Sequence, residues 1–239
     1  MIRYYISFFV CLMVLNVYSQ NAKQDMIKIN EAYSKFNDLA MNITYNLYPN
    51  YTATSPVETE TGSFKQHESL RYSKLKGIES LQNKEYLVVV DNEEKLIVVS
   101  NPVKFNPGKI TMVDLDKAFT NCSSIQFIDN KSALSGYKLT FKETIVSEFD
   151  AIDLYFNKKT FLVEKIVFYY REKIRVNEYD ESSPKEKPKL EIVFSNMDFK
   201  TISDLTFFSE NRFIEKRKGK YFPVSIYTNF EVFDQKLAK

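Results

Sequence analysis

Apolar and polar positions alternate along this chain with three different periods, and each period predicts a different kind of element. The first is no period at all. Ile6 to Val17 is a mainly apolar run behind Arg3, closed by Val17-Tyr18-Ser19 with a small residue last. That layout predicts a cleavable secretory leader over 1–19, too short to hold a membrane, with Gln20 as the new N-terminus. The second is helical. Met26, Ile29, Tyr33 and Phe36 recur at intervals of three, four and three, with Lys28, Asn30, Glu31, Ser34 and Lys35 between them. The spacing predicts an amphipathic helix over Ala22–Leu39, which needs a surface to lie on because an isolated helix of that length is marginal in water.

The period then becomes two. Met41, Ile43, Tyr45 and Leu47 alternate with Asn42, Thr44 and Asn46 until Pro49 ends the run, which reads as a half-buried strand. Further strands are predicted over Val57–Gln66, Ser69–Lys76, Glu85–Val90 and Lys95–Ser100. Asp91 to Glu94 forms the turn between the last two. Asn101, Pro102, Asn106, Pro107 and Gly108 break the pattern. A second helix is predicted over Met112–Cys122 from the stripe Val113, Leu115, Ala118, Phe119 and Cys122, with Asp114 and Asp116 near its positive end. Strands resume at Ser124–Ile128, Tyr137–Glu143, Ala151–Phe156, Leu162–Arg171, Leu190–Phe194 and Lys220–Phe233. Glu181–Lys189 reads as an exposed hairpin loop. No repeat of 20–50 residues is present. The expected organisation is a leader, 1–19, and one domain, 20–239. Its fold class is α+β, mostly β, with an antiparallel sheet, a leading amphipathic helix and a helical insert.

Composition agrees. Aromatic residues make up 15% of the chain, with five glycines and no tryptophan, a mixture that favours pleated, half-buried surfaces. Cys11 lies inside the leader with no small residue before it, so it does not read as a lipid-attachment site. Loss of the leader leaves Cys122 alone and no internal disulfide to form. An exported protein of this size without disulfides fits a bacterial periplasm. The formal charge of +2 falls to +1 with Arg3, which gives no field suited to nucleic acid.

Chemistry-bearing patterns are sparse. His67 is the single histidine, too few for a Ser–His–acid triad or a two-histidine metal site, and it reads as a surface residue. Cys122, late in an apolar stripe, reads as a small hydrophobe. Asp114-x-Asp116 and Asp91 to Glu94 lack the spacing and glycine of a calcium loop. The glycines are isolated, so no phosphate-cradling loop can be assembled. No catalytic residue, cofactor or metal is therefore expected. Arg212, Lys216, Arg217, Lys218 and Lys220, mixed with Phe213, Tyr221 and Phe222, read as a solvated hairpin tip, with weak contact to anionic headgroups as a lesser option.

The order of leader, amphipathic helix, alternating strand, a Gly62-Ser63-Phe64-Lys65 strand and a staircase of hairpins resembles the LolA-like family of periplasmic lipoprotein carriers. The resemblance begins at Met26-Ile-Lys-Ile-Asn-Glu-Ala-Tyr33. It runs through Leu70-Arg71-Tyr72, Glu85-Tyr-Leu-Val-Val-Val-Asp91, Lys95-Leu-Ile-Val-Val-Ser100, Ala151-Ile-Asp-Leu-Tyr-Phe-Asn157, Leu162-Val-Glu-Lys-Ile166 and Phe194-Ser195-Asn196. It implies a strongly curved, unclosed half-barrel whose concave face is covered by helices, with an apolar cavity for the acyl chains of lipids or lipoproteins. Two departures stand out. The family's arginine-proline pair falls on Gln66-His67, so the lid-locking arginine is missing. The small-Asp-Gly turn before the next strand is replaced by Gln82-Asn83-Lys84.

On this reading Tyr45, Leu47, Leu70, Tyr72, Tyr86 and Val88 are the candidates to line the concave side, and the same alternation equally fits a filled core. The expected activity is non-enzymatic binding of an apolar ligand, in outer-membrane lipoprotein sorting or a related task. Envelope proteins and the membrane surface are further partners in view, and nucleic acid is not. An envelope protein-interaction module on the same fold is the alternative. A hydrolase using two carboxylates is a more distant one.

Overall fold

The computed structural model describes residues 22–103, 119–129, 133–175, 182 and 184–236. The predicted leader, residues 112–118 of the second predicted helix with Asp114 and Asp116, and positions 181 and 183 of the predicted loop lie outside them. Helix α1 spans residues 22–34. The strands are β1 (Asp38–Tyr48), β2 (Glu58–His67), β3 (Leu70–Leu75), β4 (Ile78–Gln82), β5 (Leu87–Asp91), β6 (Leu96–Ser100), β7 (Cys122–Asp129) and β8 (Leu134–Phe141). They continue with β9 (Phe149–Asn157), β10 (Val163–Tyr170), β11 (Ile174–Arg175), β12 (Lys185–Glu186), β13 (Lys189–Asp198), β14 (Ile214–Arg217), β15 (Lys220–Pro223) and β16 (Glu231–Asp234).

Twelve strands form one sheet in the order β16-β6-β5-β4-β3-β2-β1-β13-β10-β9-β8-β7, while β11–β12 and β14–β15 are separate two-stranded ribbons. The order has two ends, β16 and β7, so the sheet is not closed into a barrel. The ladders from β2 to β6, and those joining β13, β10, β9, β8 and β7, are antiparallel. Strand β16 lies parallel to β6, which is open to it because the two are joined through a long connection rather than a hairpin.

By contacts the chain divides into two compact units. Among the described residues, the first holds those within 22–35, 45–59 and 119–193, and the second those within 36–44, 60–103 and 194–236.

In the first unit α1 buries Ala22, Met26, Ile29, Ala32 and Tyr33, all at or below 7% exposure, the stripe its period predicts. The helix stops at residue 34 rather than running on to Leu39. In its last turn the Ser34 Oγ donates to the Glu31 carbonyl at 3.0 Å, a local bond that competes with the helix. The meander β7-β8-β9-β10-β13 supplies the sheet. Tyr137, Leu139, Ile152, Leu154 and Phe156 share one face of it by register and are all buried. Strand β9 is buried on both faces from Ala151 to Leu154, so its period-two signal is weak where its packing is tightest.

In the second unit Tyr72, Leu81, Tyr86, Val88, Val90, Ile97 and Val99 pack with Phe208, Phe213 and Ile214 into one apolar core. Two hairpin tips follow their turn chemistry. Asp91 Oδ1 accepts the Glu93 and Glu94 N–H groups, each at 3.0 Å, as an Asx turn does. Between β14 and β15, Lys218 and Gly219 have φ of 48° and 83°, the left-handed pair that a two-residue hairpin loop needs. Strand β4 has no counterpart in the predicted elements. Cys122, predicted to close a helix, instead opens β7 after a helical turn at 119–121.

Candidate functional site

The structure gathers four of the six predicted lining residues into the second unit's core. Tyr72, Tyr86 and Val88 are buried there, and Leu70 packs against its margin. Their covers come from the chain itself. Phe207 meets the Tyr72 ring edge-on at 4.7 Å, and Tyr221 meets Tyr86 likewise at 5.9 Å. The Arg212 guanidinium lies over Tyr72 at 4.9 Å and over Phe207 at 4.3 Å, so this arginine is packed on rings rather than waving at a hairpin tip. The Tyr72 hydroxyl donates to Glu79 at 2.6 Å, and burial followed by that carboxylate pushes its pKa up to about 12. Tyr45 and Leu47, on β1, belong to the first unit and are half-buried; burial raises the Tyr45 hydroxyl.

The first unit holds a second apolar layer, built from residues that the sequence did not nominate. Helix α1 is tied to the face of β8–β10 at two points. Tyr137 donates to Asp25 Oδ2 at 2.8 Å. The Tyr33 hydroxyl accepts the Val163 N–H at 3.1 Å and donates back to the Val163 carbonyl at 3.5 Å. Burial pushes the Tyr33 pKa up to about 12; the Val163 bond offsets part of this and Glu164 adds to it. Both hydroxyls therefore stay protonated at neutral pH and act as anchors rather than bases. Tyr137, Phe156 and Phe161 stack in series at 6.1 and 5.6 Å, with Lys28 of α1 over Phe161 at 4.9 Å. The layer between helix and sheet is apolar in its middle and pinned by tyrosines at its margins.

The opposite face of the same strands is polar. Lys138, Asp153, Val167 and Glu191 stand in one register row across β8, β9, β10 and β13. Asp153, 5% exposed, accepts the Tyr169 hydroxyl at 2.8 Å, while Lys165 pairs with Glu191 at 3.3 Å. Two residues along, Gly136 stands opposite Tyr155, and a Cβ there would fall 2.4 Å from the Leu154 carbonyl and 3.0 Å from the Tyr155 ring.

His67 is no free surface residue. Its Nδ1 donates to Asp38 Oδ1 at 2.7 Å, and the same oxygen accepts the Ile202 N–H at 3.1 Å. Burial works against the Asp38 charge, yet the His67 and Ile202 bonds outweigh it and hold the carboxyl below its usual value. The clamp joins β1, β2 and the segment before the turn Leu205–Phe208.

No family model and no curated protein matches this sequence. Solved structures do. The chain is similar to a LolA superfamily protein from Nitrosomonas europaea, with 15% identity over 80% of this chain and 98% of that one, at a TM-score of 0.34. It is similar to the lipoprotein LppX of Mycobacterium tuberculosis, with 6% identity over 76% and 97% and a TM-score of 0.43. A conserved protein from Thermus thermophilus covers 90% of this chain and 99% of its own, at 9% identity and a TM-score of 0.47.

Proposed function

We propose that this chain is an exported, non-catalytic binding protein that holds a lipid or a lipoprotein acyl chain beneath α1, with the helix as a lid. The observation that supports it most is the α1 layer of the first unit: a helix with a continuous buried apolar stripe, set on an apolar sheet face and pinned by two tyrosines. Burying Met26 and Ile29 is worth about 1.5–3 kcal/mol each, so the whole stripe contributes on the order of 6 kcal/mol with Tyr33 included. An acyl chain buries about 0.8 kcal/mol per methylene, on the order of 10 kcal/mol for a long one before ordering costs. The two are close enough for a ligand to displace the helix and for the helix to displace the ligand. Such a balance is what loading and release by a carrier require. A half-barrel with its concave face under a helical cover, working in outer-membrane lipoprotein sorting, belongs to the same proposal.

Native mass spectrometry of protein purified from its own host, followed by lipid extraction, tests this. The expected result is a mass excess that extracts as lipid, together with uptake of a dansyl fatty acid by the emptied protein. A clean apo mass with no uptake overturns it. One feature favours the alternative of an envelope interaction module: in the second unit the candidate lining side chains pack against Phe207, Phe208 and Phe213 of the chain itself. Stoichiometric co-purification of a protein, without lipid, would decide for that reading.

A further inference from the structure

A cleft of about 670 Å³ lies wholly in the second unit, lined from β1, β2, β3 and β13. It is a valley of short polar side chains walled by long ones. Thr44, Thr61, Ser63 and Ser195 supply hydroxyls and Asn42 an amide, while Glu60, Lys74 and Lys76 form the walls. Its size falls in the range of about 300–1,000 Å³ typical of small-ligand sites, but such sites are mostly apolar and this one is not. Gly62 lies in its floor, where β2 and β3 approach so closely that a Cβ would lie 2.5 Å from the Lys74 carbonyl oxygen.

We infer that this cleft binds a short neutral glycan. The charges decide against an anion. Lys76 pairs with Glu60 at 3.2 Å, and Lys74 pairs with Glu79 at 3.1 Å, so each ammonium already faces a carboxylate and the site offers no net positive field. What it does offer is donors and acceptors side by side, the complement of a sugar hydroxyl, which donates to one group and accepts from another. Part of the site is set in advance. Glu79 is 7% exposed and also accepts the Tyr72 hydroxyl, so Lys74 is held from below by a fixed partner and loses little freedom on binding. Asn196, within β13 beside Ser195, has a left-handed backbone with φ of 52°, while the same φ at Lys76 belongs to the two-residue loop between β3 and β4. This site is separate from the α1 layer and does not depend on the apolar-ligand proposal.

The test is a two-dimensional amide NMR titration of the leaderless chain with cellobiose, chitobiose and maltotriose in parallel, with inorganic phosphate as a fourth ligand. At least one sugar should shift the amides of Thr44, Thr61, Ser63 and Ser195 saturably. Ser195→Trp should weaken that binding about tenfold or more while leaving the Tm within about 2 °C, since Ser195 is exposed. No localised shift with any of the three sugars overturns the inference. So do sugar shifts mapping elsewhere, and so does phosphate perturbing these amides more strongly than every sugar.

Discussion

Replacing His67 by alanine removes one bond from a carboxylate that is only 8% exposed. The substitution leaves Asp38 with the Ile202 N–H alone on Oδ1. A hydrogen bond to a buried charged group is worth about 1.5–3 kcal/mol, and orphaning the acceptor would cost more. Because Ile202 remains, the lower half of that range applies, and the expected loss is about 2 kcal/mol. For a chain of this size that lowers Tm by about 4–8 °C. Urea unfolding at pH 7 reads it directly, as a lower midpoint with an unchanged slope.

The pH dependence has a fixed sign. The folded-state pKa of Asp38 lies below the ordinary 3.8, so its contribution is fully present above that value and is lost as pH falls through the depressed one. The difference between wild type and His67→Ala should therefore shrink as the pH falls below about 3.8. His67→Asn, whose amide nitrogen can reach the place of Nδ1, should recover part of the loss. A deficit under about 0.5 kcal/mol at pH 7, the size of an ordinary surface substitution, would refute the clamp. So would a deficit that persists undiminished well below pH 3.8.

Three further outcomes are expected. Tyr33→Phe strands the buried Val163 N–H, so stability should drop by about 1–3 kcal/mol, hydrogen exchange at the Val163 amide should accelerate, and dansyl fatty acid uptake should become faster. Gly136→Ala drives a Cβ against the Leu154 carbonyl and should cost about 1–3 kcal/mol as an overpacking change, measured by urea denaturation; a neutral result would mean that β8 and β9 can part there. The Cys122 thiol, pushed up to about 11 by burial with Lys142 opposing, should react with DTNB about a hundredfold more slowly than an ordinary thiol at pH 8, its rate climbing about tenfold per pH unit. A rate plateau near pH 9 would contradict that burial.

Where alternation follows burial, the strands are legible. β1, β2, β5, β6 and β8 to β10 fall within a few residues of their predicted limits. Strand β4 is the instructive miss. In Ile78-Glu-Ser-Leu-Gln82 the apolar Ile78 is 50% exposed while Glu79 is buried, so the first two positions carry the pattern backwards. Glu79 faces the core because the Tyr72 hydroxyl donates to it and Lys74 pairs with its charge there. That exchange requires β3 to lie alongside, which no local window records. The helix boundary failed for a related reason. Phe36 continues the apolar spacing, but Asp38 is captured by His67 and Ile202, and long-range bonds recruit the chain into β1.

The candidate site shows what a period of two can and cannot say. Tyr72 and Val88 are both buried in the second unit's core, but the period does not say what covers them. The covers, Phe207, Phe208 and Phe213, lie more than a hundred residues further on and have no alternation of their own, sitting in short 3-10 turns and their flanks. The same distance hides the partner of α1. Its stripe is plain in the sequence, whereas the anchors Tyr137 and Val163 stand 112 and 130 positions away from the residues they hold. A local signal did exist. Tyr33 sits on the apolar stripe of a helix, and a buried tyrosine needs a partner for its hydroxyl. A stripe carrying one declares a fixed polar contact at its margin, which here is the Val163 backbone.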